Sequence, residues 1–427
     1  MNKAYVGHTS SDADVVLVPG ENLYTGVKPV AEIFGEIDSI DEDILTVASG
    51  IYATDLCFQR EEREQNIRTI DLSIEVVNKH AWERVKNDLR YALMVLSKDN
   101  WNISFVQKSG IAVSHFTSDM RDGAVLLFSG GIDSMCAASE FLRRNEGVVL
   151  VSHNTQGNAV VDNCQKNVHE ALEKHYKKAL EHIHIKVFGR NKGDFKFPEE
   201  RENSQRTRSY LFLSLAAVVM RKKKFSRILF MAENGQFAIH LPLNQARVGP
   251  FSTHTADPEF LNRAKEIFST LIENKHFSIE NPFLYLTKAE VFKLLPKPLM
   301  KAAIKSGSCW KISRTIKHCG ECVPCISRRI AIEHNGIKFD EYVKDVFKSD
   351  VSKLSDEDTG KRNLVDYLEF ISKFSKLDDA TRTELAFEFP ELFNSAIDKD
   401  KALDLYHRIS IQSYEVFEKY PKVKKII

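Results

Sequence analysis

Residues 124–144 read AVLLFSGGIDSMCAASEFLRR: an apolar run, a polar glycine turn and an amphipathic segment, back to back. The run 124–128 has the composition of a strand buried on both faces. After the glycines, Met135, Ala138, Phe141 and Leu142 share one helical face. A glycine turn at a strand-to-helix junction lets several backbone N–H groups converge on one anion, and the helix adds the positive end of its dipole. Gly130 and Gly131 would form that cradle, with the hydroxyls of Ser129 and Ser134 as further donors. Asp133 is awkward beside a phosphate, so it either caps the helix or holds Mg²⁺. The turn is neither G-x-x-x-x-G-K-[ST] nor G-x-G-x-x-G, which excludes a P-loop and argues against a nicotinamide cofactor. Glycines placed only for a tight β–α turn are the plainer alternative.

Outward from this stretch the chain keeps the same rhythm. Strand composition recurs at 147–153, 184–188 and 227–232, with helical patterns at 163–183 and 204–224 between. Alternation of this kind predicts an α/β fold with a parallel sheet and helices on both sides. Ligands in such folds sit beyond the carboxyl ends of the strands, where Ser129, His153 and Glu233 fall, so these three should face one crevice. Residues 1–118 read as a separate α+β domain, with strands at 15–19, 69–77 and 103–107. Its helix 80–97 carries Trp82, Val85, Leu89, Leu93 and Leu96 at helical spacing, and the domain shows no catalytic constellation. It could serve as an adaptor, a lid or a dimerisation element. Residues 338–427 turn helical and strongly charged, as a solvated cap on the central domain, 119–337, would.

The 427 residues suit two or three domains. Sixty Lys and Arg against fifty-nine Asp and Glu leave no global field for nucleic acid or anionic lipid. The compact basic run RKKK, 221–224, reads as the solvated end of a helix. No stretch reaches the roughly 18–20 apolar residues of a membrane helix, and the first residues lack the apolar core of a secretory signal. A cytoplasmic protein is expected.

In that compartment seven cysteines are not expected to form disulfides. Cys57, Cys136 and Cys164 are scattered and suit a core. Cys309, Cys319, Cys322 and Cys325 cluster as C-x₉-C-x₂-C-x₂-C, with Gly320 and Pro324 suited to the tight turns between them. Four thiolates enclose a tetrahedral zinc with no open position, the mark of a structural site. An iron–sulfur cluster and catalytic thiols for sulfur transfer are the competing readings.

Ser-Gly-Gly-x-Asp-Ser after a buried strand resembles the pyrophosphate loop of the N-type ATP pyrophosphatases, whose core is adenine nucleotide alpha hydrolase-like. Those enzymes split ATP to an adenylate and pyrophosphate, so ATP and Mg²⁺ are the implied cofactors. The loop together with the late cysteine cluster resembles the 7-cyano-7-deazaguanine synthase (QueC) family over about residues 120–337. RTRSYLFLSLAAVVM (206–220), LFMAEN (229–234), NPFLYLTKAEVFKLL (281–295) and ISRRIAIEHNGI (326–337) agree with it. The resemblance implies adenylation of a 7-carboxy-7-deazaguanine carboxylate, attack by an amine to form an amide, and a second activation to a nitrile. Asp133, Ser134, Arg208 and Lys288 are the catalytic candidates, and Ser129, Gly130, Gly131 and His153 complete the nucleotide site. Glu233 would meet the guanine-like edge of the substrate. For Arg208 and Lys288 the alternative is an ordinary surface charge, and for Glu233 a helix cap.

Two departures stand out. The family enzyme has neither flanking domain, and the loop after the glutamate is here NGQFAIHLPLNQARVGP (234–250), which puts the nitrile step in doubt. A longer chain with this core resembles the QatC component of Qat anti-phage defence systems. That implies a partner protein of a defence complex as amine acceptor in place of ammonia. Self-association into a homo-oligomer stays open. A tRNA-modifying enzyme and a non-catalytic nucleotide-binding scaffold are the rival readings.

Overall fold

In the computed structural model the described residues are 2–8, 12–60, 67–110, 120–154, 159–229, 232–244, 255–311, 318–338 and 341–426. The strands are β1 (Asn2–Val6), β2 (Val15–Leu17), β3 (Leu23–Tyr24), β4 (Thr69–Val76), β5 (Asn100–Gln107), β6 (Arg121–Leu127), β7 (Val148–Asn154), β8 (His182–Lys186), β9 (Phe188–Gly189), β10 (Phe225–Leu229) and β11 (Ser278–Glu280). The central sheet has the order β11-β10-β6-β7-β8 with every pair parallel. Strand period and burial agree along it. Val125, Leu127, Val149 and Val151 face one core, and Ala124, Leu126 and Leu150 face the other, so both faces are covered.

The N-terminal segment forms a second parallel sheet, β2-β1-β4-β5. Its helices Ser39–Cys57 and Lys79–Ser97 pack on Arg208–Lys223 and Pro258–Leu271 of the central unit. One apolar core runs through all four layers, from Val6 and Ile74 to Val125 and Val219. The two-residue strands β3 and β9 stitch the segments antiparallel. The expected strands and helix of this region are present. Strand β1, which the sequence reading missed, lies inside the sheet between β2 and β4.

The basic run 221–224 is not a solvated helix end. Arg221 Nε lies 2.8 Å from Asp41 of helix Ser39–Cys57, and Lys222 Nζ lies 3.3 Å from the same carboxylate. Asp41 is fully buried, and burial pushes its carboxyl up against the pull of both cations. The run is a docking face whose partner lies 180 residues upstream, so no local pattern announces it.

Beyond the central sheet, helices Thr359–Lys373, Asp379–Glu388 and Lys399–Phe417 enclose an apolar core of their own. Val323, Ile326 and Ile330 of helix Val323–His334 belong to this core as well, which fixes the appendage against the cysteine region. No described helix is long and apolar enough to cross a membrane.

Candidate active site

A cavity of about 340 Å³ opens beyond the carboxyl ends of β6 and β7. Ser129, Gly131, Asp133, His153, Arg208, Glu233 and Lys288 all line it, with Cys309 at its edge. The structure therefore brings candidates from six separate segments to one wall.

The loop is shaped from within. Gly130 has φ +76°, and a Cβ there would lie 2.7 Å from the backbone nitrogen of Gln165, so only glycine fits. Ser129 Oγ accepts from the N–H of Gly131 at 3.2 Å and lies 3.3 Å from Ser134 Oγ, itself donating to Gly131 O. The N–H of Gly307 donates to Gly130 O at 2.9 Å, which straps the loop to the segment leading into Cys309.

Asp133 does not cap its helix; Gly131 occupies that position, without a side-chain bond. Instead Lys288 Nζ donates to Asp133 Oδ2 at 2.6 Å, and Asn234 Nδ2 donates to the same oxygen at 3.2 Å. The other oxygen, Oδ1, is buried with no hydrogen-bond partner among the described residues. An anionic oxygen left open beside a phosphate cradle is the donor a hard cation takes, so Asp133 fits Mg²⁺. Lys288 is no surface lysine, being 6% exposed at the start of a helix closed by a Thr287–Glu290 capping box. Arg408 of the C-terminal helix reaches that box at Glu290 and donates to Tyr285 O at 2.9 Å. The same helix presses Leu405 against Gly235, two residues after Glu233, where a Cβ would meet Leu405 Cδ2 at 2.4 Å. The appendage thus backs both the lysine and the glutamate.

Glu233 is half-buried; Asn234 Nδ2 lies 3.0 Å from its Oε1 and so bridges it to Asp133. Burial, then the charge of Asp133, pushes the Glu233 carboxyl well above the usual range, against the pull of Lys288. Arg208 opens helix Arg208–Lys223 with its guanidinium 4.9 Å over the Phe212 ring. Its Nε has no hydrogen-bond partner among the described residues. The loop 234–250 is described only to residue 244.

His153 Nε2 lies 2.9 Å from Val187 O, and because a carbonyl only accepts, Nε2 carries the proton. Nδ1 is then a buried lone pair with no partner among the described residues. Burial, reinforced by Arg208, lowers the His153 pKa to about 3 from 6.5. The sign follows directly: between these values the unfolded chain holds a proton that the native state lacks, so stability falls as the pH is lowered. The loss through His153 begins below pH 6.5 and runs at about 1.4 kcal/mol per pH unit. His153→Gln should flatten the dependence of unfolding free energy on pH between 6 and 4. An unchanged slope in denaturant titrations would reject this protonation state.

Sequence reasoning missed Gln165 and Trp310, which line the cavity, and Asn234, which bridges Asp133 and Glu233 behind it. Trp310 lines the cavity while 60% exposed, next to Cys309, whereas Trp82 and Trp101 are buried. Of the scattered cysteines, Cys57 and Cys136 are buried as expected, but Cys164 lines the cavity.

The four clustered cysteines are buried, and their sulfurs all lie within 4.8 Å of one another. Cys319 and Cys325 are 3.8 Å apart at sulfur, Cys309 and Cys322 3.9 Å. A tetrahedral zinc with bonds of about 2.3 Å separates its sulfurs by about 3.8 Å, so the residues fit one ion. A four-iron cube carries its ligands on separate corners and would spread them further. The N–H groups of Lys311 and Cys319 donate to Cys309 Sγ at 3.3 and 3.5 Å, which supports a thiolate. Arg328, fully buried, donates to Ser306, Ser308, Ala303 and Ile304, fixing the segment that joins this cluster to the glycine loop.

A parallel sheet with a serine–glycine loop at its central strand, and charged groups from neighbouring strand ends around it, defines a PP-loop ATP pyrophosphatase fold. The chain belongs to the QueC family: the family model "Queuosine biosynthesis protein QueC" matches residues 123–336, half of the chain. A 7-cyano-7-deazaguanine synthase from Hahella chejuensis is 26% identical over 236 residues, which cover 51% of this chain and 92% of that enzyme. The match thus takes up nearly the whole relative and about half of this chain, and the family model leaves both flanking units outside its bounds.

Proposed function

We propose that this protein is an ATP-dependent, AMP-forming C–N ligase that activates the carboxylate of a 7-carboxy-7-deazaguanine-type substrate. The observation that carries the reading is the convergence of the glycine loop, the Lys288–Asp133 pair, Arg208 and Glu233 on one cavity. The loop and Ser134 hold the β,γ-pyrophosphate, and Arg208 and Lys288 offset its charge as it leaves. Asp133 would hold Mg²⁺, which would supply further neutralisation of the polyphosphate. A substrate carboxylate oxygen attacks the α-phosphorus, the α–β bridge breaks, and pyrophosphate departs. An amine nitrogen then attacks the acyl carbon, a proton leaves the nitrogen, and AMP departs to give an amide. His153 Nδ1 offers an acceptor for a ligand N–H, and Glu233 faces the deazapurine.

The finer reading places this chemistry in an anti-phage system, with the amine supplied by a partner protein. The resemblance to QatC and the two flanking units outside the matched family segment support it. Incubation with ATP, Mg²⁺ and 7-carboxy-7-deazaguanine should yield AMP and pyrophosphate in equal amounts once an amine is present. A mass increase on a co-encoded partner favours conjugation, and a free nitrile favours simple synthase activity. Absence of AMP and pyrophosphate under every combination would defeat the ligase reading.

A further inference from the structure

The N-terminal unit contributes no residue to the chemistry proposed above, yet it holds the arginine that does. Helix Ser39–Cys57 ends beside the segment that precedes Arg208. Asp55, fully buried, accepts at Oδ2 from both the N–H and the Oγ1 of Thr207, each at 3.0 Å. Thr207 is the residue from which the Arg208 helix starts, and its own side chain makes no cap. Asp55 therefore caps that helix from another part of the chain, with its carboxyl group set at the positive end of the dipole.

Asp55 is itself held. Arg68 Nη2 lies 2.5 Å from its Oδ1, and Arg68 Nη1 donates to its carbonyl at 2.9 Å. Arg68 and Arg60 also grip Asp99, while Arg60 Nη1 lies 3.5 Å from Glu202 and Arg206 donates to Ser97 O at 3.0 Å. Three guanidinium groups and three carboxylates thus close a neutral, largely buried network across the junction. Networks of this kind fix geometry more than they add stability, because desolvation consumes most of the Coulombic gain. One turn earlier on the same helix, Tyr52 sets its ring edge-on to His153 with centroids 5.6 Å apart, and its hydroxyl donates to Gln205 at 3.2 Å.

We propose that the N-terminal unit is a built-in brace behind the nucleotide site, with Asp55 the positioning residue that aims Arg208 at ATP through Thr207. The family match spans residues 123–336, so this brace lies in the part of the chain outside it. The inference rests on the reading that Arg208 meets ATP, and the test separates the two.

The full chain is prepared as Asp55→Asn, Thr207→Val, Thr207→Ser and Arg208→Ala. Calorimetry then gives ATP affinity, and hydrogen exchange of the ligand-free protein reads the amides of residues 207–212. Asp55→Asn should raise the Kd for ATP about tenfold and Thr207→Val about threefold, the worth of one or two hydrogen bonds. Thr207→Ser, which keeps the hydroxyl, should stay near wild type. Asp55→Asn combined with Thr207→Val in one chain should be no worse than Asp55→Asn alone, because both act through one contact. Exchange at 207–212 should quicken in the first two variants while the C-terminal helix keeps its protection. Unchanged affinity in Asp55→Asn and Thr207→Val, beside a loss in Arg208→Ala, overturns the proposal. Equal loss in Thr207→Val and Thr207→Ser does so too. If Asp55→Asn fails to fold, the threonine pair still decides. A wild-type protein that does not bind ATP sinks the ATP reading instead, and unchanged exchange at 207–212 then overturns the anchoring by itself.

Discussion

Asp133→Asn should abolish AMP formation, lowering kcat/KM by about a thousandfold or more while the protein stays folded. The magnitude follows from what the side chain does in two directions at once. Oδ2 neutralises Lys288 at 2.6 Å, and Oδ1, without a partner among the described residues, is the oxygen that fits Mg²⁺. Removing one electrostatic stabiliser of a developing charge costs about 10²–10³ in rate, and here the metal donor goes together with the orientation of the lysine. Stability should fall far less than activity. Deleting one half of a buried pair costs about 3–5 kcal/mol when the other charge is left alone. Here asparagine keeps the shape of the side chain and one acceptor for Lys288. Lys288→Met should behave similarly in rate. Near-normal turnover of Asp133→Asn, with its melting temperature unchanged, would remove Asp133 from the metal and pyrophosphate site.

How much of this was readable beforehand depends on sequence distance. The glycine loop is local: six consecutive residues state the turn, the helix start and the donors, and the structure adds only the reason for Gly130 at Gln165. The cysteine cluster is readable because ligand spacing itself carries information. The Lys288–Asp133 contact joins residues 155 apart, and nothing near either one announces the other. The same holds for Asp55 and Thr207, separated by 152 positions. The RKKK run shows the opposite error, since a basic helix end looks solvated until Asp38 and Asp41 are placed against it. Strand β1 was missed because NKAYV carries two polar residues at its start and little alternation, though pairing on both sides buries it. Flanking units read as additions because their composition is ordinary. Their contacts show otherwise: one caps the arginine helix, the other braces the lysine and the glutamate.

Cys319→Ser should leave the protein without its metal and without activity, and should lower its melting temperature by about 10 °C or more. Wild-type protein should be colourless and contain one zinc per chain. The apparent binding free energy of structural zinc in small domains is about 10–16 kcal/mol, comparable to the whole stability of a domain. Even about 4 kcal/mol lost would shift the melting point by roughly 8–16 °C in a unit of this size. The four cysteines form a cluster apart from the three apolar cores, so the defect should begin locally, in the segment from Ala303 to Cys325. That segment is what transmits it. Arg328 fixes residues 303–308, and Gly307 straps Gly130 at 2.9 Å, so a loosened cluster releases the phosphate loop as well. Activity should therefore disappear at temperatures where circular dichroism still shows a folded chain, and ATP affinity should fall with it. Stoichiometric zinc added back to chelated wild type should restore both, and to Cys319→Ser neither. Visible charge-transfer absorption, or full activity in the metal-free protein, would make the thiols a cluster or a catalytic group rather than the clasp of this loop.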